Sequence, residues 1–143
     1  MSINDTKKWF EQALPEPTAK HACIQIGCHL EEVAEMLDSL GDDCDAAEIN
    51  DTANHYKRSA FNYISSIKSL SDQDKIDLLD SLADQIVTAI GVAHTFGFDI
   101  VGALKEVNRS NFSKFEDGEP VFDYNGKITK GKNYTPPNLK PFV

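Results

Sequence analysis

The sequence predicts an all-α protein, a bundle of four to five helices with an irregular C-terminal arm. Its 143 residues suit one domain. Apolar side chains recur at helical spacing over most of the chain, and the long alternation typical of strands is not seen. Breaks between these stretches fall at Pro15, Pro17, Gly41, Gly97 and a cluster from Gly118 onward. We therefore expect one domain over residues 1–143, with the bundle at about 4–115 and the arm at about 116–143.

The first two predicted helices follow from their apolar residues and their stops. The first, at 4–14, ends at Pro15, because proline cannot continue a helix. The second, at about 18–40, ends at Gly41. Their apolar residues are Trp9, Phe10 and Leu14 in the first helix, and Cys23, Ile26, Leu30, Val33, Ala34 and Leu37 in the second.

Three further helices are predicted. The third, at about 44–68, is polar first and aromatic later, and its aromatic cluster is expected to be exposed and to mark an interface. The fourth begins at Ser71, which forms a capping box with Asp74, and runs to about residue 94 or 96. Asp99 caps the fifth, which reaches about residue 115. The aromatic cluster consists of Tyr56, Phe61 and Tyr63.

Composition and charge exclude several classes of function. Hydrophobic residues make up 41% and charged residues 26%, and no stretch approaches the ~20 apolar residues of a membrane span. The N-terminus has no apolar core or cleavage site for export, so we expect a cytoplasmic protein without a membrane partner. The formal net charge of −9 argues against nucleic acid as a partner, and a polyanionic ligand would need a metal ion beside it. Cys23, Cys28 and Cys44 are expected to be reduced thiols.

Acidic residues at helical spacing form two groups. Glu32 and Glu35 lie three apart on the second predicted helix, and Asp77, Asp80 and Asp84 share a face of the fourth. Carboxylates on two packed helices suit a magnesium site, because Mg²⁺ prefers hard oxygen ligands. The alternative is a solvated face, the commoner role of acids at this spacing. Asp84 stands out, because the IVTAIGVA that follows is expected to be buried all round.

Polar donors follow the fifth helix. The segment EVNRSNFSKF supplies Asn111 and Lys114, which suit a phosphate or a base edge. The alternative is that its cations only favour the C-terminal end of the helix dipole. In the arm, Tyr124–Lys127 predicts a hairpin turn between two short strands. The tail, with Lys127, Lys130, Lys132 and Tyr134, is expected either to stay loose in solvent or to fold over a triphosphate.

These residues resemble the all-α nucleoside triphosphate pyrophosphohydrolases, the MazG-like and phosphoribosyl-ATP pyrophosphohydrolase-like proteins. The family motif is E-x-x-E followed by E-x-x-D. Glu32-Val33-Ala34-Glu35 matches its first half, and Asp80-Ser81-Leu82-Ala83-Asp84 is recognisable as the second, with Ser81 where the family has glutamate. The S-N-x-x-K segment and the lysine-rich tail are similar to the form often seen in phage and bacterial genomes. The resemblance covers roughly residues 20–137.

The resemblance implies hydrolysis of a nucleoside triphosphate to the monophosphate and pyrophosphate, with dGTP or another purine deoxynucleotide as candidate substrate. Glu32, Glu35, Asp84 and, as the fourth ligand, Asp80 would hold Mg²⁺ or its substitute Mn²⁺, and Glu35 would also be the general base. A homodimer or homotetramer is implied as well. The residues expected to contact the substrate are Gln25, His29, Asn111, Lys114, Lys127, Lys130, Lys132 and Tyr134.

Two alternative functions stay open. The chain could be a non-catalytic helical module that binds a nucleotide or a partner, because Ser81 could impair the metal site. Within the family, it could hydrolyse phosphoribosyl-ATP instead, although the tail favours the phage-type branch. If the tail folds over the substrate, deleting the arm from Gly126 onward is expected to impair catalysis with little change in thermal stability.

Overall fold

The computed structural model describes residues 3–143 and shows a helical chain, which confirms the predicted all-α class. Met1 and Ser2, which the predicted domain includes, lie outside the described residues. The described helices are α1 (Ile3–Ala13), α2 (Ala19–Ser39), α3 (Asp43–Lys57), α4 (Phe61–Lys68), α5 (Asp72–Thr95) and α6 (Ile100–Phe112), with a 3₁₀ turn at Lys140–Phe142. The chain divides into two compact units. The bundle type, the fold family and the single domain stay predictions.

Local signals set most helix ends within a few residues of their predicted places. The Ser71 hydroxyl accepts a hydrogen bond from the Asp74 backbone N–H, and the Asp74 carboxylate accepts one in return, which confirms the capping box. Asp99 caps α6 by accepting from the Gly102 N–H at 2.9 Å. Gly41, at φ +82°, lies just beyond α2, in a conformation that favours glycine.

The third predicted helix is two helices in the structure. The helical path breaks after α3 at Ser59, which adopts a φ of +51°. Because Ser59 is neither glycine nor proline, nothing in the sequence signals this break. The rings of Tyr56 and Tyr63 pack together across it, with centroids 4.5 Å apart. Of the predicted aromatic cluster, Phe61 alone is largely exposed, at 85%.

The α2–α4 unit spans Glu16–Leu70 together with the turn Tyr124–Lys127. Helices α2 and α3 form a hairpin whose contact is made mostly by small residues. Its buried residues are Cys23, Ile24, Gly27 and Ala34 from α2, and Ala46 and Ala53 from α3. The three cysteines are free thiols, and burial raises the pKa of the Cys23 and Cys28 thiols.

The other unit contains α1, α5, α6 and the C-terminal arm at Ile128–Val143. Its core is the cluster of Trp9, Ala13 and Phe115, against which Ile128 packs. Trp9 stacks on Phe115 with ring centroids 5.6 Å apart. The predicted hairpin is reduced to an isolated bridge, Phe122 to Ile128.

Helix α5 differs from its prediction. Every residue from 72 to 92 is exposed, and Ala93 is the helix's one buried residue. The prediction that the apolar IVTAIGVA segment is buried all round is therefore wrong for the described chain, because no other element of its unit covers residues 86–92. No single helix of residues 3–143 is long and apolar enough to cross a membrane. Helices α5 and α6 have the required length and composition only when they are taken together, and this pair is bent by 118°.

Candidate functional site

The α2–α4 unit contains a cavity of about 410 Å³ between α2 and α3, here called the acidic cavity. Its volume lies within the range of small-molecule sites. The lining residues are Glu31, Ala34, Glu35 and Asp38 from α2, and Asp43, Ala46, Ala47 and Asn50 from α3. Four carboxylates around one cavity favour a cation, or a ligand that brings one.

Small residues allow the two helices to approach each other. A Cβ atom on Gly27 would lie 2.5 Å from Cγ of Lys57 and 2.6 Å from the carbonyl oxygen of Ala53. Farther along the hairpin, Ala34 and Ala46 are buried and line the cavity. Short side chains at the contact thus leave open space beside the longer acidic side chains.

Glu31 is neutralised by two lysines. Its carboxylate accepts hydrogen bonds from Nζ of Lys57 at 2.7 Å and from Nζ of Lys127 at 3.0 Å. Burial opposes its ionisation, but these two bonds outweigh burial and lower the pKa of Glu31. Lys127 comes from the turn Tyr124–Lys127, where Gly126 lies near the Ile24 side chain at a φ of +82°.

The other carboxylates of the acidic cavity are not paired with lysine or arginine. Glu35, Asp38 and Asp43 form no ion pair with a basic side chain of residues 3–143. They offer hard oxygen atoms, which Mg²⁺ prefers. Across the described residues, no three His, Cys, Asp or Glu side chains stand close enough together to hold an ion by direct bonds alone. A cation in this cavity would keep part of its water shell, as Mg²⁺ usually does in proteins.

The structure places the predicted metal ligands as follows. Glu35 lines the acidic cavity, and Glu32 is exposed on the same helix. Asp80 and Asp84 are exposed on α5, in the other unit. Of the predicted substrate contacts in the α2–α4 unit, Gln25 and His29 are exposed on α2, and Lys127 is paired with Glu31.

In the other unit, the predicted substrate residues take part in packing. The backbone carbonyl of Asn111 accepts the indole N–H of Trp9 at 2.9 Å, and Nζ of Lys114 lies 5.9 Å from the centroid of a Trp9 ring. In the arm, Nζ of Lys130 lies 4.8 Å from the centroid of the Tyr134 ring. The remaining predicted residue, Lys132, donates its backbone N–H to Glu116 at 2.6 Å.

The arm lies along α6 rather than loose in solvent. Arg109 donates to the Thr135 hydroxyl at 2.6 Å and to the Pro136 carbonyl at 3.0 Å. Buried Ser110 donates its hydroxyl to the Thr135 carbonyl at 2.9 Å. Farther along, the Asn138 N–H donates to a Glu106 carboxylate oxygen at 2.9 Å. Arg109 and Ser110 belong to the polar segment that suggested phosphate binding, and they bind the arm to α6 instead.

Sequence reasoning missed four polar residues of the acidic cavity, Glu31, Asp38, Asp43 and Asn50. Glu31, Glu35 and Asp38 recur at intervals of four and three, the spacing of one helix face, so this signal was present in the sequence. Asp43 and Asn50 join them only because α3 folds back after Gly41, which spacing within one helix cannot show.

Comparison with protein-family models, with curated proteins and with solved structures finds no match to this chain.

Proposed function

We propose that the chain is a Mg²⁺-dependent nucleotide pyrophosphohydrolase, which converts a nucleoside triphosphate to the monophosphate and pyrophosphate. A purine deoxynucleotide such as dGTP is the first substrate to try, and the protein is proposed to act as a homodimer or homotetramer. The observation that carries the proposal is the acidic cavity, with Glu35 of the E-x-x-E motif on its wall. The resemblance of the sequence motifs supports the same conclusion.

The residues of the acidic cavity fit a magnesium ion. Mg²⁺ is usually held by one or two carboxylates, with waters and substrate phosphates as the other ligands. One or two of the carboxylates Glu35, Asp38 and Asp43 would meet that number, and Mn²⁺ accepts the same oxygen donors. The bound ion would neutralise negative charge on the phosphates. The roles that the resemblance implies for Glu32, Asp80 and Asp84 are part of this proposal.

The chain's own side chains would orient and deprotonate the reactants. The carboxylate of Glu35 could accept the proton of an attacking water, as a general base does. Asn50 offers amide donors to the same cavity. Near the cavity, Lys127 adds a positive charge, although Glu31 holds it in the ligand-free chain. An anionic ligand would compete with Glu31 for this ammonium group.

Turnover with matched variants tests the proposal. Purified protein with Mg²⁺ and a panel of triphosphates should release pyrophosphate, and the panel should include phosphoribosyl-ATP. Glu35→Gln should lower turnover at least about 100-fold, because it removes both a ligand and the base. Glu48→Gln, on an exposed position of α3 outside the cavity lining, should keep the wild-type rate. Both variants should have the same circular dichroism spectrum as the wild-type protein.

Two results would contradict the enzyme proposal. Triphosphate binding without pyrophosphate release would favour the non-catalytic nucleotide-binding module. Equal turnover in Glu35→Gln and wild type would remove Glu35 from the mechanism. Mn²⁺ binding followed by electron paramagnetic resonance separates the two roles of Glu35, because a lost ligand weakens metal binding and a lost base does not.

A further inference from the structure

Helix α5 carries a broad apolar face that no other element of its unit covers. Its large side chains are between 42% and 69% exposed. At 100° per residue they occupy about two fifths of the helix circumference. The α5 apolar face consists of Ile76, Leu79, Leu82, Ala83, Ile86, Val87 and Ile90.

A helix in this position needs a packing partner. Helices of this kind gain most of their stability from packing of an apolar face and are marginal when they stand alone in water. Of the 24 residues of α5, Ala93 alone is buried. Something outside its own unit should therefore cover this face in solution.

We propose that the α5 apolar face pairs with α5 of a second copy of this chain, in antiparallel orientation. The inference goes beyond the proposed chemistry, and of that proposal it uses only self-association. It identifies the interface as α5, in place of the aromatic cluster expected from the sequence.

Charge along the helix favours the antiparallel pairing. Every Asp and Lys of α5 lies at or before Asp84, whereas residues 85–95 carry no Asp, Glu, Lys or Arg. Parallel copies would place the acidic halves side by side, at a cost in repulsion. Antiparallel copies place each acidic half beside an uncharged half. The helix is thus complementary to itself across a two-fold axis, as a homodimer interface must be.

The apolar residues are arranged almost symmetrically about the middle of the helix. Ile76, Leu79, Ala83, Ile86 and Ile90 recur at alternating intervals of three and four, the spacing of a coiled-coil seam. An axis at Ala83 would bring Ile76 opposite Ile90 and Leu79 opposite Val87, the residue after Ile86. The small Ala83 side chain at the crossing would let the two helices approach closely.

Mass measurements test the pairing. Light scattering of the wild-type protein should give at least about twice the 15.9 kDa of one chain. Ile86→Asp should lower the mass to that of one chain, because a charge on the face cannot be buried unpaired. Phe61→Asp, which changes the 85% exposed aromatic side chain of α4, should keep the wild-type mass. A wild-type monomer, or loss of assembly in Phe61→Asp alone, would overturn the proposal.

Cross-linking tests the orientation and does not depend on a destabilising variant. In a Cys44→Ser background, which removes the exposed thiol, Ile76→Cys and Ile90→Cys proteins are prepared separately and then mixed under mild oxidation. Antiparallel pairing predicts disulfide-linked dimers in the mixture and few in either protein alone. Dimers in each protein alone would indicate parallel pairing, and none in any sample would reject this interface. Neither the mass measurement nor the cross-linking depends on pyrophosphate release, so the pairing and the proposed enzyme activity can fail separately.

Discussion

At Glu106 one carboxylate accepts hydrogen bonds from two parts of the chain. The Arg109 guanidinium and the Asn138 backbone N–H together lower the pKa of Glu106 from about 4.5 to about 2. A lowered pKa means that the charged form stabilises the fold above pH 4.5, and that this contribution is lost as the pH falls from 4.5 to 2. We expect Glu106→Gln to lose less thermal stability than the wild type over this range.

Nuclear magnetic resonance of the Glu106 carboxyl carbon checks the cause. Arg109→Met should raise the pKa of Glu106 towards 4.5, because the charged donor is gone. Arg109→Lys, which keeps the charge but not the two-pronged geometry, should raise it less. An unchanged titration in Arg109→Met would show that the guanidinium does not set this pKa.

Two glycines give opposite expectations for the same substitution. At Gly27, a methyl group would meet the backbone of Ala53 and Lys57 at 2.6 and 2.9 Å. Since that backbone cannot move without separating α2 from α3, Gly27→Ala should lower the free energy of unfolding by about 1–3 kcal/mol. Gly91 lies within α5, and a methyl group there would meet no other atom within 4 Å. Gly91→Ala should therefore raise the free energy of unfolding by up to about 1 kcal/mol. Urea unfolding measures both, and destabilisation by Gly91→Ala alone would contradict the packing argument.

At the scale of elements, the sequence predicted what local chemistry determines. Helix ends with a side-chain cap or a glycine, such as Ser71 and Gly41, lie close to their predicted positions. The break at Ser59 was missed, because a left-handed serine carries no compositional signal. The exposure of α5 was missed for a different reason. An all-round apolar pattern predicts that a helix needs covering but does not say which chain covers it.

The residues of the candidate site were likewise predictable only where one helix brings them together. Glu35 was found because its motif lies within one helix, and it lines the acidic cavity. Asp43 and Asn50 were missed because their contribution depends on how α3 packs against α2. The expected roles of Asn111 and Lys114 stay predictions, although their segment also has a structural role, since Arg109 and Ser110 hold the arm.

The contacts of the arm lead us to expect a loss of stability when it is removed, contrary to the sequence-based expectation. Deleting residues 133–143 would leave Arg109, Ser110 and Glu106 without their arm partners and uncover Gly102. The hydrogen bond of buried Ser110 alone contributes about 0.5–1.5 kcal/mol, so we expect the free energy of unfolding to fall by at least about 1 kcal/mol. Removing only the 82% exposed Val143 is the matched control and should have little effect. Calorimetry of both truncations measures the difference, and equal melting temperatures would show that the arm is dispensable.

For the whole molecule, the net charge of −9 means that any added cation stabilises the fold to some extent by screening repulsion between acidic side chains. A test for a specific magnesium site must therefore distinguish binding at that site from general screening. At 10 mM MgCl₂ and a dissociation constant of about 1 mM, binding would stabilise the native state by about 1.4 kcal/mol. The melting temperature should then rise by about 3–6 °C more than in NaCl of equal ionic strength. Glu35→Gln combined with Asp43→Asn should abolish this extra rise, because both carboxylates line the acidic cavity. Glu48→Gln removes one charge outside the cavity and should keep the extra rise in melting temperature. If both variants lost the effect in proportion to their charge, magnesium would be acting through screening alone, and the acidic cavity would not be its site.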